Sequence, residues 1–205
     1  MNNHCDYLLS TAYFPPIEYF KALARGNSIY IEACENFQKQ SYRNRCNILA
    51  SDGILSLTVP VSKGLGKNIR EVEIDYSHPW LLQHKRALIS AYMSSPFFEY
   101  YKDDIFKILE SGETHLFTLN KRLTEKLAEL AGIKCDIKYT EDYIGDYGDR
   151  LVDLREKIHP KRKPFFQASP SDVYYQVFSD KFGFTGNLSI LDLLFNEGPN
   201  AISFL

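Results

Sequence analysis

Residues 7–31 hold the pattern that most constrains this chain. Tyr7-Leu8-Leu9 is an apolar run, and Pro15-Pro16 can open a helix. Ile17, Phe20 and Ala24 then recur at helical spacing, Gly26-Asn27 closes the helix, and Ser28-Ile29-Tyr30-Ile31 is rich in strand formers. Strand, helix and strand within so short a stretch read as a βαβ-like start, although the short connection leaves the direction of the second strand open. The fold class this predicts is α/β.

The next pattern is β. Arg45-Cys46-Asn47-Ile48-Leu49 and Ile54-Leu55-Ser56-Leu57-Thr58-Val59 flank Asp52-Gly53, a turn pair that signals a β-hairpin insertion. Alternation over residues 69–74 predicts a third strand beside it. The middle is helical: residues 80–93 carry Leu81, His84, Leu88 and Tyr92 on one face, residues 97–109 follow, and Leu116, Leu119, Leu123, Leu127 and Leu130 form a stripe that Gly132 ends. Cys135, Ile137 and Tyr139 alternate as a returning strand, residues 150–158 are expected to form a shorter helix, and a C-terminal helix follows Ser189. With no internal repeat, and His159-Pro160-Lys161-Arg162-Lys163-Pro164 as the one break in composition, residues 1–205 read as a single compact domain. A chain of 205 residues can bury such a core without disulfides or structural metal.

Charge and cysteine usage exclude several function classes. With 24 Lys+Arg against 26 Asp+Glu the chain lacks the basic field of a general nucleic-acid binder, so no nucleic-acid partner is expected. The apolar stretch near the start is broken by Pro15 and Pro16, which argues against a signal peptide and a membrane span and for a cytoplasmic location. Cys5, Cys34, Cys46 and Cys135 are scattered, with neither Cys-x-x-Cys pairs nor zinc-finger histidine spacing, and read as reduced thiols; no metal site is expected. Gly64-Leu65-Gly66-Lys67 lacks Walker spacing, and neither a Gly-x-Ser-x-Gly elbow nor a His-Glu-x-x-His pair occurs. No motif names a cofactor.

The candidate site residues are cationic or titratable groups set among apolar or amide neighbours. His84, on the apolar face of its helix four residues after Trp80, is the best acid–base candidate, against the plainer reading of a satisfied core histidine. Arg43-Asn44-Arg45 follows a loop that also holds Lys39. Strand alternation would put both guanidiniums on one face, where two forks match a phosphate or carboxylate; the plainer reading is a surface charge ladder. Lys63 and Lys67 on a glycine loop could also meet phosphate, or simply sit in a mobile connection. Ser189 and Asp192, at capping-box spacing, are read as a helix cap. Lys157, His159, Lys161, Arg162 and Lys163 read as a solvated loop.

Taken in order, several blocks resemble the WbqC-like protein family over nearly the whole chain. They are Tyr13-Phe14-Pro15 with Tyr19-Phe20, Arg43-Asn44-Arg45, Leu57-Thr58-Val59-Pro60-Val61, Trp80 with His84 and Tyr92, Ser95-Pro96-Phe97-Phe98 with Tyr100-Tyr101, and the run from Asn187 to Pro199. The resemblance implies a setting among bacterial O-antigen and surface-polysaccharide genes, with a glycine-transfer role suggested for one branch. The chain departs from the common pattern at Ser10-Thr11-Ala12, where many relatives carry His-Gln-Pro, and at Glu32, where an aspartate is usual.

These readings converge on a group transferase with a small-molecule substrate, an activated acyl or aminoacyl group or a sugar nucleotide. Arg43, Asn44 and Arg45 would hold the donor's anionic group, His84 would take a proton from an amine or hydroxyl acceptor, and Tyr13 and Asn187 would orient the ligand. The alternative is a non-catalytic sugar-nucleotide-binding or scaffold protein of the same pathway. Convergence of Arg43, Arg45 and His84 in one cleft separates the two.

Overall fold

The expected βαβ unit forms. β1 (Asp6–Ser10) leads through the proline pair into α1 (Ile17–Arg25), and β2 (Ile29–Glu32) returns parallel to β1, with Tyr7 opposite Ile29 and Ser10 opposite Glu32. The computed structural model describes residues 5–62, 67–145, 151–167 and 169–205; Lys63 and its glycines lie outside them. Gly26 ends α1 at a close approach rather than at a left-handed turn. Its φ is −74°, and a Cβ there would stand 2.5 Å from the Ile29 side chain and 2.9 Å from the Tyr7 ring.

Two more parallel strands complete the sheet in the order β5-β2-β1-β6. β5 (Ile137–Tyr139) lies beside β2, as the alternation of Cys135, Ile137 and Tyr139 predicts, and β6 (Leu151–Asp153) lies on the free side of β1. The chain therefore builds outward from β1 in one direction and then returns to the other side. In such sheets a crevice opens outside the carboxyl ends of the strands where the order reverses, here between β1 and β6.

Two expectations are corrected. Residues 150–158 were expected to form a helix; instead residues 151–153 are β6 and residues 155–157 turn. Three strand residues are too few to show a period of two, and an apolar stretch that short does not distinguish helix from strand. Residues 69–74 do not add a strand to the hairpin. Ile69–Glu71 is a turn of 3₁₀ helix capped by the Asn68 side chain, and only the single bridges Val61 to Ile74 and Glu73 to His115 follow. Ile69 and Val72 are three apart and both fully buried, so this segment buries one side of a 3₁₀ turn where alternation suggested a strand face.

The hairpin itself is β3 (Arg45–Ala50) against β4 (Gly53–Thr58), closed by Asp52-Gly53 with Gly53 at φ +110°. α2 (Trp80–Tyr92), α3 (Phe98–Leu109) and α4 (Leu116–Leu130) form the helical middle. A single turn, α5 (Ser179–Phe182), precedes the C-terminal helix α6 (Ile190–Glu197), and α2 and α6 both pack on β3. The architecture is thus mixed α/β: a parallel sheet with a βαβ start, a hairpin insertion, helices between, and a C-terminal helix. Leu9, Ile29 and Ile31 of the sheet share one buried core with Phe20 and Leu23 of α1, the leucine stripe of α4, and Ile190 to Phe195 of α6. Among the described residues no helix is long and apolar enough to cross a membrane.

Ser189 caps α6 by accepting from the Leu191 N–H, but Asp192 does not share that work. Its carboxylate, 1% exposed, accepts from Tyr174 Oη at 2.6 Å and from Gln176 Nε2 at 2.7 Å, and so ties the preceding loop to α6. Burial raises its pKa, against those hydrogen bonds.

Candidate functional site

The carboxyl edge of the parallel sheet gathers charge. β1 ends with Ser10 opposite Glu32, the last residue of β2; Thr140 follows β5, and Asp153 closes β6 opposite Leu8, two residues before Arg155. Glu32, fully buried, is saturated. One oxygen accepts from the Cys34 N–H at 2.9 Å and Thr140 Oγ1 at 2.6 Å, the other from the Ile144 N–H at 3.0 Å and Arg155 Nη1 at 3.1 Å. A buried carboxylate with four donors is a structural clamp, here joining the segments that leave β2, β5 and β6. Arg155 in turn donates through Nε and Nη2 to Asp153 at 3.1 and 2.9 Å and stacks its guanidinium 4.8 Å from the Tyr143 ring centre.

Beside this clamp stands a second one. Arg43 donates to both oxygens of Glu35, through Nε at 3.0 Å and Nη2 at 2.5 Å, and Nη2 also reaches Ser10 Oγ at 2.8 Å; the Ser10 hydroxyl donates to Glu35 at 2.9 Å. Arg43 is 2% and Glu35 5% exposed. Burial, with a smaller push from Glu32, raises the pKa of Glu35, while Arg43 and Ser10 pull it down. A cleft of about 480 Å³ opens against these groups, lined by Glu35, Gln38, Tyr143, Asp153, Arg155 and Glu156 together with Cys34 and Asn36. Behind it a cavity of about 10 Å³, room for one water, lies between Ser10, Thr11, Arg43, Leu154 and Arg155, at the β1/β6 reversal itself. Three carboxylates and one guanidinium line the cleft, so its charge suits an amine or a hydroxyl-rich ligand better than a free phosphate.

The residues singled out from sequence do not converge here. Only Arg43 borders the crevice, and its fork is engaged by Glu35 rather than open to a ligand. Arg43 and Arg45 were expected on one strand face, but residues 41–44 form a turn before β3 begins at Arg45, so period-two alternation does not reach Arg43. Arg45 pairs with Thr58 in the hairpin, and its Nε is buried without a hydrogen-bond partner. Asn44 donates to the Val59 carbonyl at 2.8 Å and receives the Val59 N–H on its own carbonyl, stitching the hairpin base.

His84 is 4% exposed and borders none of the three cavities described here. Its Nδ1 shares a 2.9 Å hydrogen bond with Tyr13 Oη, Trp80 packs edge-on to its ring, and burial lowers its pKa to about 4, opposed by the Thr58 backbone. Tyr13 is fully buried, with its phenol pKa pushed well up by burial. The pair is a buried core contact, and neither residue lines the crevice. Asn187 lies at another cavity and acts as a cap supplied from far along the chain: its Oδ1 accepts from the Glu18 N–H in the first turn of α1 at 3.0 Å, a turn that Pro16 cannot cap, and its Nδ2 donates to Glu18 Oε1 at 2.8 Å. Its φ of +55° is one asparagine tolerates.

The crevice residues missed in the sequence are Glu35, Asp153, Arg155 and Tyr143. A carboxylate three residues past the end of a strand was a usable signal for Glu35. Reading residues 150–158 as a helix hid Asp153 and Arg155. Among the described residues no group of three or more His, Cys, Asp or Glu side chains is placed to hold a metal ion, and all four cysteines are free.

Apart from Ser10, the crevice residues from Thr11 to Glu156 lie in the stretch that a family profile matches. The profile of the WbqC-like protein family matches residues 11–163, and the uncharacterised protein Rv1507c of Mycobacterium tuberculosis is 30% identical over 97% of this chain and 96% of its own length. No solved structure matches. With three quarters of its residues under the family profile and a relative collinear from end to end, this chain belongs to the WbqC-like protein family.

Proposed function

We propose that this protein is a group transferase whose acceptor, an amine or hydroxyl of a surface-polysaccharide precursor, sits in the cleft at the carboxyl ends of β1, β2 and β6. The observation that carries this reading is Glu35: a buried carboxylate with raised proton affinity, oriented by Arg43 and Ser10, at the wall of a polar cleft on a strand-order reversal. Glu35 takes the place first assigned to His84. The acceptor nitrogen or oxygen attacks the activated carbon of an acyl or glycosyl donor, its proton passes to Glu35, and the leaving group departs with the bonding electrons. Tyr143 and Glu156, more exposed at the rim, position the acceptor.

A thermal-shift screen of sugar nucleotides, acyl donors and amino acids finds the donor, because a ligand of the native state must stabilise it. Mass spectrometry of reactions with amine and hydroxyl acceptors then reads the product. Glu35→Asp, which keeps the charge opposite Arg43 but withdraws it by one methylene, should lower kcat about 10²-fold. Wild-type turnover in that variant removes Glu35 as base. The sealing of His84 and the engagement of the Arg43 guanidinium by Glu35 favour a second reading, binding without chemistry; donor-induced stabilisation with no product from any acceptor would establish it.

A further inference from the structure

A second cavity, independent of the crevice, lies on the outer side of α1. It holds about 170 Å³ and is walled by Ile17, Phe166, Tyr174, Phe184 and Phe204, with Glu18 and Lys21 on adjacent turns of the helix. The aromatic walls are ordered: Tyr174 meets Phe184 and Phe204 edge-on at 5.2 and 5.7 Å, and its hydroxyl is fixed on Asp192. A comparable apolar cavity of about 150 Å³ holds a benzene ring.

The charges in this cavity do not balance. Lys21, 5% exposed, is engaged by Asp172 at 2.7 Å. Glu18, 4% exposed, has only neutral partners among the described residues, the Asn187 amide at 2.8 Å and the Phe165 N–H at 2.8 Å. Buried carboxylates are ordinarily matched by a cation. Each Glu18 oxygen keeps a lone pair beyond its one bond, and aromatic faces that surround a desolvated site also attract a cation.

We propose that this cavity binds a small ammonium compound with an apolar body of about benzene size, its charge paired with Glu18 and its body held between the aromatic walls. Burial also raises the Glu18 pKa, consistent with a carboxylate lacking its counter-charge.

The test uses benzylamine as probe and the isosteric, uncharged benzyl alcohol as control on the ¹⁵N-labelled full chain. Benzylamine should shift the amide resonances of Glu18, Phe165 and Asn187 at millimolar concentration, and benzyl alcohol should bind about tenfold more weakly or worse, the scale of a charge-assisted hydrogen bond. Glu18→Gln should bring benzylamine down to the alcohol's affinity. If that variant does not fold, the comparison of the two probes on the wild-type chain still decides. Equal affinities, no shifts, or shifts confined to the crevice residues Glu35 and Tyr143 would overturn the proposal.

Discussion

Acidification should unfold this protein partly through one histidine. His84 sits between Tyr13 and Trp80, and its pKa falls from an ordinary 6.5 to about 4 because burial strips water from the imidazolium. Between those two values the unfolded chain binds a proton that the folded chain refuses, so stability rises with pH across that window. The contribution is complete above pH 6.5 and lost as pH falls toward 4. The difference corresponds to roughly 3 kcal/mol, a large share of an ordinary folding free energy of about 5–15 kcal/mol. For a chain of this size it amounts to a fall in Tm of about 6–12 °C. Urea unfolding at half-unit pH steps and constant ionic strength measures the slope, and the His84 ring resonances followed by NMR give the folded-state pKa directly. In His84→Gln, whose amide can still bond Tyr13, the His84 part of the slope should disappear. A folded-state pKa above 6, or an unchanged slope in the variant, would refute the reasoning and return His84 to the list of possible bases.

Two further expectations concern the residues that hold the crevice and α1 in place. Glu35→Gln takes the paired carboxylate from the buried Arg43 guanidinium, leaving Glu156 at 3.7 Å as its counter-charge, and should cost about 3–5 kcal/mol in urea unfolding, while the double change Glu35→Leu with Arg43→Met should recover most of that loss; a single-variant cost below about 1 kcal/mol would mean the pair is solvated. Asn187→Ala removes the distant cap of α1 and puts alanine at a positive φ, so it should cost about 0.5–2 kcal/mol from the cap plus backbone strain. Asn187→Gly, free of that strain, should cost less, and the reverse order in thermal unfolding would show that the cap is not what Asn187 supplies.

Patterns that repeat within a few residues were legible in the sequence. Apolar runs flanking a proline pair and Gly26 read as strand, helix and strand, Asp52-Gly53 read as a hairpin, and the leucine stripe ending at Gly132 read as α4. Each of these is set by local torsional preference and by one face seeking burial. The three-residue strand β6 and the 3₁₀ turn at Ile69 escaped because such short pieces owe their form to partners elsewhere: Leu151 pairs with Asp6, and Val72 receives the Leu116 N–H. The site followed the same division. Arg43, His84 and Asn187 stood out by residue type, but type does not say which group meets which.

The sequence by itself determined the α/β class, the order of most elements and membership of the WbqC-like family, because those depend on periodicity and on blocks of adjacent residues. Only the tertiary structure decided that Arg43 is locked on Glu35, that His84 is sealed with Tyr13, that Asn187 caps a helix 169 residues away, and that Glu35, Asp153 and Arg155 share a crevice. The reason is physical: a charged side chain buried in a folded protein is defined by its partner, and these partners are brought together by strand order, which no local pattern encodes.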